Sequence, residues 1–305
     1  MIRKRNGTQR ILHNPDGVMR VVQYRALTKL LNFLVIPEYI YAFERNKSIP
    51  VMAALHTNKQ VVISVDIKDF FHSIKQHLLQ QTFITLGLGE KPARTLSEVC
   101  TYKAFVPQGA LTSPKIANLI TALTFGPRVK EYCDQNDLTL SIYADDITIS
   151  SNNQNLSVSD VLTVVTNCIT EAGFRVNREK TKVMWKTNRQ YVCGVVVNSK
   201  TNMLRKERYR LRAIVHNITK YGLEVEASKT EVTPEKFASH IRGRLNWLKQ
   251  LNSSLGDKYI LKLKTYLEQA KQGITLEQIS NYSLLLEEPT KVIPVVDTLP
   301  KELPF

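Results

Sequence analysis

The stretch Leu138-Thr139-Leu140-Ser141-Ile142-Tyr143-Ala144-Asp145-Asp146-Ile147-Thr148-Ile149-Ser150-Ser151 decides how this chain is read. Apolar and polar residues alternate on both sides of Asp145-Asp146, with Leu140 and Ile142 before it and Ile147 and Ile149 after it. That is the period-two pattern of half-buried strands, and it predicts a β-hairpin with two carboxylates at its turn. Taken alone, such a pair is more often a solvated turn than a site. Upstream, Val61-Val62-Ile63-Ser64-Val65-Asp66 is a β-branched run ending on a third carboxylate. It predicts a buried strand that delivers Asp66 at its C-terminal end. With the hairpin beside that strand in one sheet, Asp66, Asp145 and Asp146 meet. Like charges repel, so the cluster is tolerable when hard cations neutralise it, and Mg²⁺ takes oxygen ligands while leaving positions for water and substrate phosphates. Two such ions about 3.5–4 Å apart clamp the attacking and leaving oxygens of an in-line phosphoryl transfer.

The charge distribution supplies the second clue. The 305 residues carry a formal charge of +15, and the charge is uneven. Residues 1–30 hold seven basic residues against one acidic, residues 31–199 are nearly balanced, and residues 200–272 hold sixteen basic against seven acidic. Basic flanks around a neutral centre suit a polyanion, because Lys and Arg beside phosphates release condensed counterions. A carboxylate cluster inside a polyanion-binding chain points to nucleotidyl transfer. The 43% hydrophobic, 23% charged composition is that of a globular protein. Its longest apolar runs are far too short to cross a bilayer, which excludes a membrane-spanning protein. The N-terminus is basic without an apolar segment behind it, so no secretory signal is expected and the cytoplasm is the expected compartment. Cys100, Cys133, Cys168 and Cys193 lie too far apart for a zinc site and form no disulfide framework, so buried thiols are expected.

Working outward, Asn6-Gly7 between basic runs predicts a tight hairpin at the start. Val18–Phe43 carries helical spacing that Pro37 restarts, which predicts two helices. Phe70-Phe71 opens an amphipathic stretch that Gly87 ends. Ser113-Pro114 suits an N-cap and first helical position, predicting a helix from Pro114 to about Cys133. A further helix from Ser159-Asp160 should stop at Gly173, and Tyr191–Asn198 is β-rich. Residues 205–285 read as helical, with an apolar stripe of Ile241, Leu245, Leu248 and Leu255 and with Arg242, Arg244 and Lys249 on other faces. Glu287–Phe305, with four prolines, reads as an extended tail.

Three ordered blocks, Ser64-Val65-Asp66-Ile67-Lys68-Asp69-Phe70-Phe71, Pro107-Gln108-Gly109 and Tyr143-Ala144-Asp145-Asp146, resemble the palm motifs of a reverse transcriptase. Gly109-Ala110-Leu111-Thr112-Ser113-Pro114 leading into Ile116-Ala117-Asn118-Leu119, with the compact length, is most similar to the bacterial retron members, over about residues 3–255. The resemblance implies an α+β right-hand polymerase. Fingers would occupy 1–60, an antiparallel palm 61–198 with an inserted fingers segment at about 75–105, a helical thumb 199–285, and the tail 286–305. It makes Asp66, Asp145 and Asp146 the ligands of two Mg²⁺ ions and aligns Lys180 with the lysine that assists pyrophosphate departure, with Lys182 close enough to compete. Phe71 matches the steric gate that selects dNTPs. Gln108 and Gly109 match the loop contacting nucleotide and template, where glycine lets backbone approach ligand. Arg10 and Arg3 match the residues gripping the triphosphate. Tyr143, Cys193, Gly194, His56, Arg242, Arg244 and Lys249 would contact nucleic acid.

The same resemblance implies a cognate structured non-coding RNA as template and priming from a guanosine 2′-OH. It also implies a branched RNA–DNA product (msDNA) and anti-phage defence with an associated effector protein. Three positions depart from the pattern: Met52 stands where the family's Asn-Ala-x-x-His element has asparagine, Cys193 replaces a threonine, and Leu111 stands where proline is usual. The competing readings are another bacterial reverse transcriptase, of the group II intron or diversity-generating type, and a non-catalytic RNA-binding scaffold. The residues after Asn198 leave little room for an intron maturase region, and the intact aspartates with Gln108 argue against a scaffold.

Overall fold

The computed structural model describes residues 2–3, 9–270 and 276–286. The chain is α+β and divides into two compact units between Lys200 and Thr201. In chain order the first unit contains β1 (Ile2–Arg3), β2 (Gln9–Arg10), α1 (Gly17–Lys29), α2 (Ile49–Ala54), β3 (Val61–Asp66), α3 (Phe70–Ser73), α4 (Gln76–Thr85) and α5 (Glu90–Cys100). After these come α6 (Ser113–Leu123), α7 (Phe125–Gln135), β4 (Thr139–Tyr143), β5 (Asp146–Ser151), α8 (Val158–Glu171), β6 (Lys182–Trp185), β7 (Tyr191–Val192) and β8 (Val195–Val196). β1 and β2 pair antiparallel, Ile2 opposite Arg10 and Arg3 opposite Gln9. The turn expected at Asn6-Gly7 and the tail from Glu287 lie outside the described residues.

The central sheet has the order β4-β5-β3-β6, antiparallel throughout. Its register sorts the side chains by their period of two. Val61, Ile63 and Val65 of β3, Leu140 and Ile142 of β4, and Ile147 and Ile149 of β5 enter one hydrophobic core with Phe83, Ile116, Ile120, Val129 and Val165 from the helices. The alternate positions, Ser64 and Asp66 opposite Thr148 and Asp146, line a cavity on the opposite face.

Two helix expectations fail for identifiable reasons. The helix expected from Pro114 to Cys133 is two helices, broken at Thr124 (φ −115°, ψ −98°). Pro127 has no N–H for the Leu123 carbonyl and its ring would clash there. The second helix expected after Pro37 is a run of turns. Its backbone bonds to β4 instead, Tyr41 N–H to the Ile142 carbonyl and Ile142 N–H to the Tyr39 carbonyl, both 2.8 Å. The Lys47 ammonium donates to the carbonyls of Pro37, Glu38 and Ile40 at 2.7–3.0 Å. A side chain and a strand edge together outbid helical spacing for the same backbone groups.

His56 is a correction to the nucleic-acid contacts. It is fully buried, and its ring nitrogens bond the Ser150 and Ser141 hydroxyls at 2.7 and 2.8 Å. Burial, and secondarily Lys59, pushes it down to about 3, so it is a neutral pin joining the two strands of the carboxylate hairpin. Cys100, Cys133 and Cys168 are buried free thiols as expected, while Cys193 is half-buried.

The second unit is helical: α9 (Arg205–Tyr221), α10 (Leu223–Ala227), α11 (Pro234–Leu251), α12 (Ser253–Ala270) and α13 (Leu276–Leu286). Ile241, Leu245 and Leu248 are buried, while Leu255 belongs to the next helix, because the chain breaks at Asn252. α12 approaches α11 through Gly256, where an added Cβ would lie 2.4 Å from Lys249 Cα. No helix among the described residues is long and apolar enough to cross a membrane.

His56→Ala leaves two buried hydroxyls without partners and opens a cavity between α2 and the hairpin. It is expected to lower stability by about 2–4 kcal/mol, read as a lower urea midpoint at unchanged m-value.

Candidate active site

β3 and β5 are paired so that Asp66 stands directly opposite Asp146. The hairpin turn between Tyr143 and Asp146 is the pair Ala144-Asp145, with Ala144 at φ 55°. The turn is tied to the end of β3 by Ile67 N–H donating to the Asp145 carbonyl at 2.9 Å. Beyond Asp66 the strand pairs with a returning segment, with Ile67 bridged to Val176 and Asn177 N–H on the Asp66 carbonyl at 2.7 Å. That segment turns at Asn177, whose carbonyl accepts from Lys180 N–H, and so brings the Lys180 ammonium 3.0 Å from Asp66 Oδ2. Sequence spacing alone does not place Lys180; the antiparallel return of the segment beside the end of β3 does.

The electrostatics are those of a crowded anionic centre. Asp66 is buried, and its Oδ1 accepts no hydrogen bond from any described residue. Burial, with the charges of Asp145 and Asp146's other neighbour Asp66, raises Asp146 to about 6, against the smaller opposing pull of Lys180 and a hydrogen bond from Cys193. Lys180 sits above its ordinary value: burial pulls it down, but the hydrogen bond and charge of Asp66, with Asp145 and Asp146, more than offset that. Cys193 Sγ lies 3.8 Å from Asp146 Oδ2, and burial followed by the charges of Asp146 and Asp145 pushes the thiol up to about 12. It stays a neutral thiol, a donor toward the carboxylate. Cys193 and Gly194 form the two-residue loop between β7 and β8, both at positive φ (45° and 83°), as a primed hairpin turn requires.

These residues line an open cavity of about 560 Å³ together with Phe43, Phe71, Gln108, Tyr143 and Lys182. Phe71 rests edge-on against Phe70, ring centroids 6.0 Å apart. Lys182 bonds the Tyr191 hydroxyl rather than a carboxylate. Gly109 is not among the residues lining the cavity, and its φ of 106° with Leu12 and His13 3.3 Å from where a Cβ would stand shows that its missing side chain makes room for the protein's own N-terminal segment. The backbones of Arg3 and Arg10 form the β1–β2 pair. Arg242, Arg244 and Lys249 belong to the second unit, all half-buried on α11. There Arg244 borders a groove with Lys206, Arg210, His240 and Trp247, and Lys249 pairs with Asp257 at 3.3 Å. Phe43 is the site residue that the sequence did not signal, since Ala42-Phe43-Glu44 reads only as the end of a helical pattern.

Among the described residues, no three Asp, Glu, His or Cys side chains by themselves form a group able to hold a metal. The donor set nonetheless fits a hard divalent cation. It consists of carboxylate oxygens, one of them a buried orphan, one carboxyl is raised by its neighbours, and such ions complete their shell with water and substrate oxygens.

The family model described as reverse transcriptase (RNA-dependent DNA polymerase) matches residues 2–197, which contain every element of this cavity. The chain belongs to the reverse transcriptase family. Its curated relatives include the retron Mx65 reverse transcriptase of Myxococcus xanthus, 31% identical over 279 residues, covering 86% of this chain and 62% of the relative. The retron Ec86 reverse transcriptase of Escherichia coli is 26% identical over 264 residues, covering 86% of this chain and 77% of the relative. The retron Mx162 reverse transcriptase of Myxococcus xanthus is 29% identical, covering 71% and 51%. The chain therefore spans between about half and three quarters of the length of these retron reverse transcriptases.

A carboxyl raised from 3.8 to about 6 opposes folding at neutral pH. The cost is absent below the unfolded value, builds as pH rises, and is complete above 6, where it amounts to about 3 kcal/mol. In EDTA, Asp146→Asn is expected to be more thermostable than the parent at pH 8, with the advantage shrinking to roughly a third at pH 4.5. Thermal midpoints at the two pH values check this.

Proposed function

We propose that this chain is an RNA-directed DNA polymerase of the retron type. It would copy part of a cognate structured non-coding RNA into single-stranded DNA, priming from a guanosine 2′-OH. The observation that carries the chemistry is the register of β3 on β5, which sets Asp66 opposite Asp146 with Asp145 at the adjoining turn and Lys180 on Asp66. The retron relatives carry the template class. In this reading residues 1–60 and about 75–105 act as fingers, 61–198 as palm and 199–285 as thumb.

Asp66, Asp145 and Asp146 would hold two Mg²⁺ ions, which when bound supply the clamp on attacking and leaving oxygens. The chain's own residues do the rest. Lys180 is protonated at neutral pH and its side chain is 63% exposed, so it can leave Asp66 and meet the charge that develops on departing pyrophosphate. Phe71, backed by Phe70, closes the space beside a deoxyribose and rejects a 2′-hydroxyl. Gln108 offers an amide to the incoming nucleotide. Arg3 and Arg10 suit its triphosphate, because a guanidinium fork matches phosphate oxygens. Tyr143, Cys193 and Gly194 face the primer end, and the basic helices of the second unit suit duplex backbone. Cytoplasmic location, an effector protein and a role in anti-phage defence follow from the same reading.

The test is to express the chain with its upstream DNA and treat the nucleic acid bound to the purified protein with DNase, RNase and debranching enzyme. A short DNA joined to RNA, sensitive to debranching and absent from Asp145→Asn/Asp146→Asn, is the expected result. RNA alone, unchanged by those substitutions, would make the protein a scaffold, and unbranched DNA would place it with another reverse transcriptase type. In primer extension Phe71→Ala is expected to admit ribonucleotides, raising rNTP incorporation at least tenfold relative to dNTP, on the order of a 1.4 kcal/mol loss of discrimination. Undiminished rejection would remove the gate from Phe71.

A further inference from the structure

Phe43 combines three features that ordinary packing does not explain. Its backbone is left-handed, φ 62°, a conformation that a bulky residue avoids. Its ring is exposed, 51% for the residue, so it gains little from burial. It also stands at the rim of the carboxylate cavity, with its ring centroid 6.2 Å from that of Tyr143 at an interplanar angle of 44°.

The strain is held by a brace on both sides. Glu44, the next residue, receives the Lys115 ammonium at 3.3 Å and the Asn118 amide at 2.9 Å, and that amide also donates to the Ala42 carbonyl at 2.6 Å. Lys115 and Asn118 are buried on α6. Lys47 gathers three carbonyls of the same loop. A strained backbone persists where its surroundings over-determine it, and such positions gather at functional sites.

Most of the other side chains in the cavity supply charge or hydrogen bonds. Asp66, Asp145 and Asp146 are anionic, Lys180 and Lys182 are cationic, Gln108 is an amide, and Phe71 is engaged by Phe70. Phe43 adds a flat apolar face with no polar atom. In a cavity that takes nucleic acid, the partner for such a face is a nucleobase, since every base has a π-face that stacks on an aromatic ring. We propose that Phe43 is a stacking platform for a nucleobase beside the catalytic carboxylates, with Tyr143 as its second wall. The inference rests on the polymerase reading for what enters the cavity. The base belongs either to the bound template–primer or to the incoming dNTP, and the two arms of the test separate them.

The experiment compares the full chain with Phe43→Ala, Phe43→Leu and Phe43→Trp. One arm measures the Kd for a fluorescent RNA-template/DNA-primer duplex in EDTA across a salt series; the other measures the dNTP KM in primer extension. Alanine and leucine are expected to weaken one of the two constants about tenfold, and tryptophan to stay within about threefold of the parent, in keeping with base–aromatic stacking. A rise in Kd assigns the base to template–primer and a rise in KM assigns it to the nucleotide. The slope of log Kd against log salt should not change, because no phosphate contact is lost. The thermal midpoint of Phe43→Ala should not fall, because the ring is exposed. Parental Kd and KM in the alanine variant would overturn the proposal. So would full rescue by leucine, or a lowered midpoint in step with the lost affinity, either of which would make Phe43 a support for the loop. Should the parent bind duplex but extend no primer, the polymerase reading falls while the Kd comparison still decides Phe43.

Discussion

The rest of the site depends on one constraint, the register of β3 against β5. Placing Asp66 opposite Asp146 forces two carboxylates together inside the fold, with Asp145 one residue away. A slip of one residue would send Asp66 into the hydrophobic core and Val65 into the cavity. Five apolar positions, Val61, Ile63, Val65, Ile147 and Ile149, hold the register, because each is buried only when the carboxylates face the other way. The core therefore fixes the geometry of the carboxylate cluster as well as stabilising the unit, and the repulsion it imposes is answered locally by Lys180, the Cys193 thiol and the tethered turn.

His56 shows the same logic at the far end of the hairpin. Ser141 and Ser150 lie on the cavity side of their strands, four or five residues from the carboxylates, and a buried neutral imidazole joins them. Because each hydroxyl and each ring nitrogen is satisfied, the pin adds rigidity without a buried charge. A lone histidine is more often a satisfied structural residue than a contact residue, and the burial that makes His56 one depends on the two strands it joins.

What was legible from the sequence was what the chain encodes locally. Alternation along 138–151 and the β-branched run 61–66 specified the strands and their carboxylate ends, and Gly173 stopped α8 where its φ of 85° requires a glycine. The break at Thr124 is local, set by Pro127, whereas the other failures come from distant segments. The segment after Pro37 has helical spacing, yet its amides and carbonyls go to Ile142 and to Lys47. Gly109 reads as a ligand-facing glycine, yet the neighbour that needs its missing Cβ is His13, almost a hundred residues earlier. Such contacts depend on which distant segment arrives, and composition and spacing carry no record of that.

The strained positions show how the fold divides its work. Phe43, Ala144 and Cys193 all have positive φ without being glycine, and all three line the carboxylate cavity. Each lies where a turn must aim a side chain or a strand end at one point. Ala144 sets Asp145 beside Asp146, Cys193 brings a thiol to that carboxylate, and Phe43 holds its ring against Tyr143. Their backbone strain, the raised carboxyl of Asp146 and the orphan oxygen of Asp66 are all unfavourable for the free protein. They are concentrated within one cavity, while the opposite face of the same sheet is apolar and buried. In the proposed function, cations and nucleic acid would relieve these unfavourable terms, and would bind with the free energy that the site did not spend on its own stability. The sheet's two faces thereby separate folding from function at the level of alternate residues along one strand.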